Sequence, residues 1–255
     1  MIASAVEDQH DDVVPGETSA CETPVEDEEL ALAGEANLGL GCGDPLAYTQ
    51  LAPGMTVVDL GSGAGFAALA ASNRVGPTGR VIGVDMTDDL LARARENVRK
   101  RGAHNVEFRK GFIESLPIDS NTADYVISNW AINLSADKPA VFREIARVLK
   151  PGGRFAISDI VLLKPLPAEV AHHISAYVGC IATASLLTDY LCTALAAGLR
   201  DLTIPHLAHG PDFVKAVAPK DSPSTTISRT PPILPGALTR WPAEALASIQ
   251  LHGKK

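Results

Sequence analysis

The chain has 255 residues, of which 46% are apolar and 20% are charged, a composition typical of a water-soluble globular protein with a sizeable core. Its formal net charge of −8 is unevenly distributed, because 13 acidic and no basic residues precede Arg74, whereas 22 basic and 17 acidic residues occupy the rest. An acidic arm on a mildly basic body that lacks a dense stripe of Lys and Arg argues against a nucleic-acid partner.

An alternation of strands and helices begins at Thr56. Each predicted strand is a short apolar run, and the helices are bounded by capping residues or glycine. The predicted strands are 56–60, 80–86, 106–111, 123–129 and 154–161. The predicted helices are 66–76, 88–102 and 138–150, the last two with Thr87 and Asp137 as N-caps. Short connections favour a parallel sheet with right-handed crossovers, and therefore an α/β, doubly wound, Rossmann-like fold.

The segments on either side of this alternation differ from it in composition. The predicted divisions are an acidic, largely disordered arm (1–35), a cofactor-binding domain (36–161), a short substrate-side extension (162–218) and a Pro-rich tail (219–255). Within the extension we expect one or two helices in 168–197. Two short strands are expected to follow, at 202–207 and 213–218.

Four widely separated cysteines, Cys21, Cys42, Cys180 and Cys192, do not resemble a small disulfide framework. We therefore expect free thiols in a reducing compartment, with Cys192 packed in the core. The N-terminus lacks the pattern of a signal peptide, and the apolar stretch 174–188 is too short to cross a bilayer. These features predict a cytoplasmic protein without a membrane partner, and we expect a monomer.

A glycine-rich turn follows the first predicted strand, in VVDLGSGAG (57–65). The missing side chains let backbone N–H groups approach a ligand where a helix begins. Asp85 ends the second strand, 24 positions after Gly61, where a carboxylate can accept from both hydroxyls of a ribose. The glycine spacing is shorter than that of dinucleotide enzymes and suits S-adenosylmethionine, whose ammonium group needs a carboxylate such as Asp59. The predicted turn residues are Gly61, Ser62, Gly63 and Gly65.

Other residues near the same strand ends can complete a cofactor site. Met86 and Ile113 can lie against an adenine ring, although either could equally be core packing. Glu114 can accept a hydrogen bond from the adenine amino group. Asn129 ends the fourth predicted strand, where this type of sheet binds its ligands, and we expect it to contact the cofactor.

Seven stretches of the sequence closely resemble arsenite S-adenosylmethionine methyltransferases. They are NLGLGCGDP (37–45), VVDLGSGAGF (57–66), VIGVDMT (81–87), NVEFRKGFIESLP (105–117), VISNWAINLSADK (126–138), RVLKPGGRFAISDIV (147–161) and YVGCIATA (177–184). The likeness covers about residues 20–204. It implies a class I methyltransferase sheet of seven strands, S-adenosylmethionine as methyl donor, and a C-terminal part that closes over a trivalent arsenical, which is methylated for detoxification.

The resemblance also implies a mechanism based on thiols, in which cysteine thiolates hold trivalent arsenic while its lone pair attacks the sulfonium methyl group. Thiolates are soft ligands that suit this thiophilic centre. Cys42 and Cys180 match two thiols of the family and could hold arsenic as a dithiolate, although a free cysteine is also commonly a small buried hydrophobe. Cys21 matches the family's distal N-terminal thiol. A small thiol, glutathione or thioredoxin, is expected as reductant or as a further ligand.

Trp130 stands at the position of a fourth cysteine of the family. Tryptophan cannot ligate arsenic, and its bulk would fill part of the substrate space. The indole is either a packing wall, a cation–π partner of the sulfonium worth about 0.5–2 kcal/mol, or part of a pocket for a different acceptor. Three functions remain open on the sequence: methylation of arsenic, methylation of another small molecule, or binding of cofactor or arsenic with little activity.

Overall fold

The computed structural model of the chain describes residues 46–165, 183–209 and 245–255. The strands in these ranges are β1 (Thr56–Leu60), β2 (Arg80–Asp85), β3 (Val106–Lys110), β4 (Ala123–Asn129), β5 (Leu149–Leu162), β6 (Arg200–His209) and β7 (Leu246–Lys254). The helices are α1 (Phe66–Val75), α2 (Asp88–Arg101), α3 (Lys138–Val148) and α4 (Leu187–Ala196), with a short 3₁₀ helix at Ile132–Leu134. No helix within the described ranges is long and apolar enough to span a membrane.

A single sheet contains these seven strands, in the order β3-β2-β1-β4-β5-β7-β6. The strands from β1 to β5 are parallel, and β7 is antiparallel to both β5 and β6. The chain moves outward from β1 to β3 and then places β4 on the other side of β1. Such a reversal opens a crevice outside the carboxyl ends of the strands, where ligands bind. The predicted doubly wound α/β fold is therefore confirmed.

Hydrophobic residues cover both faces of the sheet. On one face α1 and α2 pack through alanines and through Leu91, and the small alanine side chains let α1 approach β1 and β2 closely. On the other face α3 and α4 pack together, and the rings of Phe142 and Tyr190 meet edge to face with centroids 5.1 Å apart. Because both faces are covered, β1 and β2 are buried at successive positions after their first residue, and not only at alternate ones.

The helix ends agree with the sequence predictions to within two residues, but two details differ. Asp137 caps α3 as predicted, accepting a hydrogen bond from the amide of Ala140 at 2.9 Å. Thr87 is the N-cap of α2 as predicted, although its side chain makes no capping hydrogen bond. Cys192 was expected in the core and is exposed instead. Tyr190 and Ala194 form the buried face of α4, and a residue midway between them points away from it.

The C-terminal residues differ most from the sequence prediction. Residues 246–254, expected to lie in a tail, form β7 inside the sheet, where it pairs with β5 on one side and β6 on the other. Ala247, Ile249 and Leu251 are completely buried, which explains why this segment is held in the fold. The predicted strand 202–207 is confirmed within the longer β6, and the predicted strand 213–218 lies outside the described residues.

Shortening Ile249 to valine is expected to destabilise the protein by about 0.5–1.5 kcal/mol, because removal of a buried methylene leaves a small cavity. Ile249 is fully buried in the core of the sheet. The same type of change at the partly exposed Leu207 of β6, Leu207→Val, is a suitable control and should alter the free energy of unfolding by less than about 0.5 kcal/mol. Urea unfolding measures both. Equal effects would indicate that residues 246–254 are not an interior strand.

Candidate functional site

The turn between β1 and α1 has a backbone that only glycine adopts without strain. Gly61, Gly63 and Gly65 have φ angles of 65°, 50° and 89°. The amide of Gly61 donates to the carbonyl oxygen of Val84 at 2.8 Å, which fixes the turn against β2. A Cβ added to Gly61 would lie 2.3 Å from the Cβ of Ala131, whereas one added to Gly63 would meet nothing within 4 Å. Gly61 is therefore needed for packing, and Gly63 borders open space.

Replacing Gly63 with alanine is expected to weaken cofactor binding at least about tenfold, or ~1.4 kcal/mol, because the new methyl group would enter space that a ligand uses. The left-handed backbone adds a cost to stability of about 1–2 kcal/mol. Gly152→Ala is a matched control, since Gly152 also has a positive φ, 79°, and open space, but lies at the amino end of β5. Calorimetric titration with S-adenosylmethionine compares the two variants. Equal affinities would contradict a ligand at this turn.

Asp59 is an acid held in the interior, at the carboxyl end of β1. Its side chain is 2% exposed, and its Oδ2 has no hydrogen-bond partner among the described residues. Burial raises the pKa of Asp59 to about 8, the neighbouring negative charge of Asp85 contributes to the rise, and the amide of Ala68 opposes it. A cation bound beside Asp59 would offset both destabilising effects, so this position suits the ammonium group that the sequence predicted.

Asp85 joins the end of β2 to the glycine turn. Its Oδ2 accepts a hydrogen bond from the amide of Gly63 and its Oδ1 accepts one from the amide of Thr87, each at 2.9 Å. Each carboxylate oxygen can accept a further hydrogen bond. Asp85 therefore supports the turn and still has the capacity to accept from a ribose, as the sequence predicted. Three predicted residues, Asp59, Gly63 and Asp85, thus lie together.

The loop after β3 contains the predicted adenine-contacting residues. Ile113 is partly buried and packs against the core below the sheet edge, and Met86 is also partly buried. One carboxylate oxygen of Glu114, Oε1, accepts a hydrogen bond from the hydroxyl of Ser135, a residue that the sequence prediction did not include. An ionised carboxylate accepts about four hydrogen bonds in all, so Glu114 keeps the capacity to accept from an adenine amino group.

Asn129 and Trp130 follow one another at the carboxyl end of β4. Asn129 pairs in register with Ser158 of β5, and the amide of Trp130 donates to the carbonyl oxygen of Ser158 at 2.9 Å. Trp130 has a φ of 64°, a left-handed conformation that is rare for a bulky residue. Its indole Nε1 is buried without an acceptor among the described residues. A strained backbone and an unpaired donor together are typical of a functional position.

Buried polar atoms without partners concentrate at this edge of the sheet. Unpaired buried polar atoms are uncommon in folded proteins, and a cluster of them indicates a place where a ligand or water completes the hydrogen bonding. In the described part of the chain they include Asp59 Oδ2, Ser62 Oγ, Trp130 Nε1, Asn133 Oδ1, Ser158 Oγ and Thr183 Oγ1. These six atoms belong to carboxyl-end segments of the strands or to residues next to them, whereas a further atom of this kind, His252 Nε2, lies on β7. The glycine turn, the acids and these atoms fit a polar cofactor that binds in the crevice.

A second buried acid, Asp159 on β5, was not predicted from the sequence. Its Oδ2 accepts from the hydroxyl of Tyr190 at 3.0 Å and from the amide of Asn133 at 3.1 Å. Burial raises its pKa to about 7, opposed first by the Tyr190 hydrogen bond and less strongly by backbone amides and Lys138. The side-chain amide of Asn133 also donates to the carbonyl of Ile160 at 2.5 Å. Asp159 therefore fixes the 3₁₀ turn after Trp130 to β5 and α4.

The predicted thiol ligands cannot be placed in this site. Cys21, Cys42 and Cys180 lie outside the described residues, so their roles remain sequence predictions. Within residues 46–165, 183–209 and 245–255, no three His, Cys, Asp or Glu side chains form a group that would hold a metal ion. Cys192 is exposed on α4.

Comparison with known proteins agrees with this geometry. The family model described as a methyltransferase domain matches residues 51–209. An arsenite methyltransferase of Halobacterium salinarum is 46% identical over 188 residues, covering 74% of this chain and 48% of the relative. A ubiquinone/menaquinone biosynthesis C-methyltransferase of an Enterobacter species is 36% identical over 125 residues, covering 49% of each chain. The chain therefore spans about half the length of these curated relatives.

A solved structure extends the similarity to most of the chain. The crystal structure of an arsenic(III) S-adenosylmethionine methyltransferase from Chlamydomonas reinhardtii superimposes with a TM-score of 0.67 and 29% sequence identity. The match covers 94% of this chain and 75% of the other. The resemblance to arsenite methyltransferases that the sequence motifs indicated is thereby confirmed.

Proposed function

Because the chain belongs to the methyltransferase-domain family, we propose that it transfers a methyl group from S-adenosylmethionine to trivalent arsenic. The similarity to two arsenic methyltransferases, one by sequence and one by structure, supports arsenic as the acceptor. The observation that carries the proposal is the buried Oδ2 of Asp59, which has no partner among the described residues and lies beside the open glycine turn. A sulfonium amino acid with an ammonium group fits both features.

Different residues of the chain would bind the amino-acid part, the ribose and the adenine of the cofactor. Asp59 would pair with the ammonium group, and the open space at Gly63 would receive the amino-acid part of the cofactor. Asp85 would accept from the ribose, and Met86, Ile113 and Glu114 would contact the adenine. Asn129 would line the crevice at the end of β4. When bound, S-adenosylmethionine supplies a methyl group on a positively charged sulfur.

On the acceptor side, Cys42 and Cys180 are proposed to hold arsenic as thiolates, with Cys21 as a further thiol. Two protein thiolates leave one coordination position of trivalent arsenic for another ligand, and a small thiol such as glutathione would fill it, with glutathione or thioredoxin as the reductant. Trp130 takes the place of a third protein thiolate and would wall this side of the crevice. No general base is needed, so positioning and exclusion of water carry the catalysis.

A second candidate is methyl transfer to a small organic acceptor. The buried Nε1 of Trp130 favours it, because this indole N–H finds no acceptor within the described part of the chain and could donate to an oxygen atom of such a molecule. The similarity to a quinone-biosynthesis C-methyltransferase is consistent with this alternative.

The two candidates differ in what drives consumption of the methyl donor. We expect formation of S-adenosylhomocysteine to require both the protein and arsenite, and to increase when glutathione is present. Chromatographic measurement of S-adenosylhomocysteine checks this, with arsenite omitted as the control. Turnover that depends on an added organic acceptor, but not on arsenite, would support the second candidate and contradict the first.

A further inference from the structure

Lys138 occupies a position that local electrostatics disfavour. It is the first residue of α3, directly after the N-cap Asp137. A cation at a helix N-terminus faces the positive end of the helix dipole, which opposes its charge. A residue whose charge is unfavourable where it stands is expected to gain stabilising contacts elsewhere or to have a functional role.

Part of the compensation for Lys138 comes from backbone oxygens outside the helix, beside the charge interaction with Asp159. Its ammonium group donates to the carbonyl of Thr183 at 2.9 Å and to the carbonyls of Asn133 and Ser135 at 3.3 Å each. All three contacts are partly buried, so the interaction is less screened than one at the open surface. Lys138 therefore joins two parts of the chain, the turn at 130–135 and the segment that resumes at Thr183.

The turn that Lys138 holds is also in contact with the cofactor side of the crevice. Ala131 packs so closely on Gly61 that no side chain fits between them, and Ser135 donates to Glu114. The turn begins with Trp130, whose backbone is fixed to β5 through Ser158. A displacement of the turn would therefore move the wall at Trp130 relative to the glycine turn.

Thr183, which accepts a hydrogen bond from Lys138, is close in sequence to a residue proposed for the acceptor side. It follows the predicted arsenic ligand Cys180 by three residues. Two residues after Thr183, the carbonyl of Ser185 accepts from the amide of Leu162 at 2.8 Å. This segment is therefore attached to β5 as well as to Lys138.

We infer that Lys138 is a positioning residue for the acceptor, which holds the Trp130 turn and the chain at Thr183 in a fixed relation beside the methyl donor. The inference rests on the proposed methyl transfer, and it assigns Lys138 no contact with cofactor or arsenic. Removing the ammonium group should loosen the acceptor side and leave the Asp59 side unchanged.

The variant Lys138→Met removes the three hydrogen bonds and keeps most of the side-chain length. We expect kcat/KM for arsenite to fall at least tenfold, while the dissociation constant of S-adenosylmethionine changes less than twofold. Lys138→Arg should recover a large part of the loss, because a guanidinium also donates to several oxygens. Lys150→Met is the matched control, since Lys150 pairs with Asp124 at the amino end of the sheet, and it should leave kcat/KM within twofold of the parent.

Fluorescence of Trp130 gives a readout that does not depend on methyl transfer. The chain has two tryptophans, so a Trp241→Phe background leaves Trp130 as the reporter. Lys138→Met should shift its emission to longer wavelength, and Lys150→Met should not. An unchanged emission, or a loss of cofactor affinity equal to the loss of kcat/KM, would overturn the inference. If the parent protein methylates no arsenic, the proposed function fails, and the emission shift alone decides whether Lys138 holds the turn.

Discussion

Asp59→Asn is expected to weaken S-adenosylmethionine binding by about 30-fold or more, because truncating one partner of a buried charge pair costs about 2–5 kcal/mol. The same change should stabilise the protein without cofactor increasingly as the pH rises above 3.8, with the full effect at about pH 8 and above. The asparagine side chain has nearly the shape of the aspartate but never carries the buried negative charge, for which Oδ2 has no partner among the described residues. Opposite effects on cofactor affinity and on stability are expected of a binding residue and not of a structural one.

The raised pKa of Asp59 determines how the stability of the protein and its affinity for the cofactor change with pH. The pKa of Asp59 is about 8 in the folded protein against a usual value of 3.8, so the folded state retains a proton that the unfolded state loses. Its contribution to stability is complete below pH 3.8 and is lost as the pH rises through about 8. A bound ammonium favours the carboxylate, so cofactor binding below pH 8 releases a proton and affinity rises with pH.

Thermal unfolding and calorimetric titration between about pH 6 and 9, a range that brackets the pKa of Asp59, test both parts. Because asparagine does not titrate, both the stability and the cofactor affinity of Asp59→Asn should change less with pH than those of the parent protein. Asp124→Asn serves as a control, because Asp124 is also a carboxylate that accepts backbone and lysine hydrogen bonds but lies at the amino end of the sheet. Equal losses of cofactor affinity in the two variants would show that Asp59 has no direct role.

Trp130→Cys is expected to increase the affinity for arsenite by about 10²–10⁴ in the absence of added thiol, since a third thiolate supplied by the protein replaces one that must bind from solution. The family resemblance places a cysteine at this position. Both cysteine and tryptophan carry a Cβ, so the left-handed backbone, with φ of 64°, strains the variant and the parent alike. Loss of indole packing should lower the thermal midpoint without preventing folding.

Trp130→Ser is the matched control, because serine has nearly the size of cysteine but a hard oxygen in place of a thiolate. Arsenite binding is measured by equilibrium dialysis with detection of total arsenic. A gain in Trp130→Cys that Trp130→Ser does not share supports an arsenic site beside residue 130. The same affinity in both variants would mean that the indole does not border the acceptor.

The fold, the glycine turn and the position of the two acids beside it were largely predictable from sequence, because their signals are local. The glycine turn lies within the short stretch VVDLGSGAG, and the acids Asp59 and Asp85 mark the ends of consecutive apolar strands. Positions 61 and 65 require glycine, because φ is positive at both and an added Cβ would clash with a neighbouring side chain. The glycines of the motif therefore indicate the conformation of the turn. The structure adds that Asp85 supports the turn and that the buried Oδ2 of Asp59 has no partner among the described residues.

Contacts between distant residues were not predictable. The Asp159–Tyr190 hydrogen bond joins positions 31 residues apart, and Lys138 reaches Thr183 across 45 residues. A sequence pattern predicts a buried face but not which polar groups meet on it. Strand β7 did have a usable signal, because Ala247, Ile249 and Leu251 alternate with Ser248 and Gln250. Its position after a long Pro-rich segment concealed that alternation.

The identity of the methylated product tests the central proposal most directly. The protein is incubated with S-adenosylmethionine labelled in its methyl group, arsenite and glutathione, and arsenic species are separated and identified by mass. We expect methylated arsenic that carries the label, strongly reduced in Asp59→Asn. Binding of S-adenosylmethionine that depends on Asp59, without any labelled arsenic product, would contradict arsenic as the acceptor.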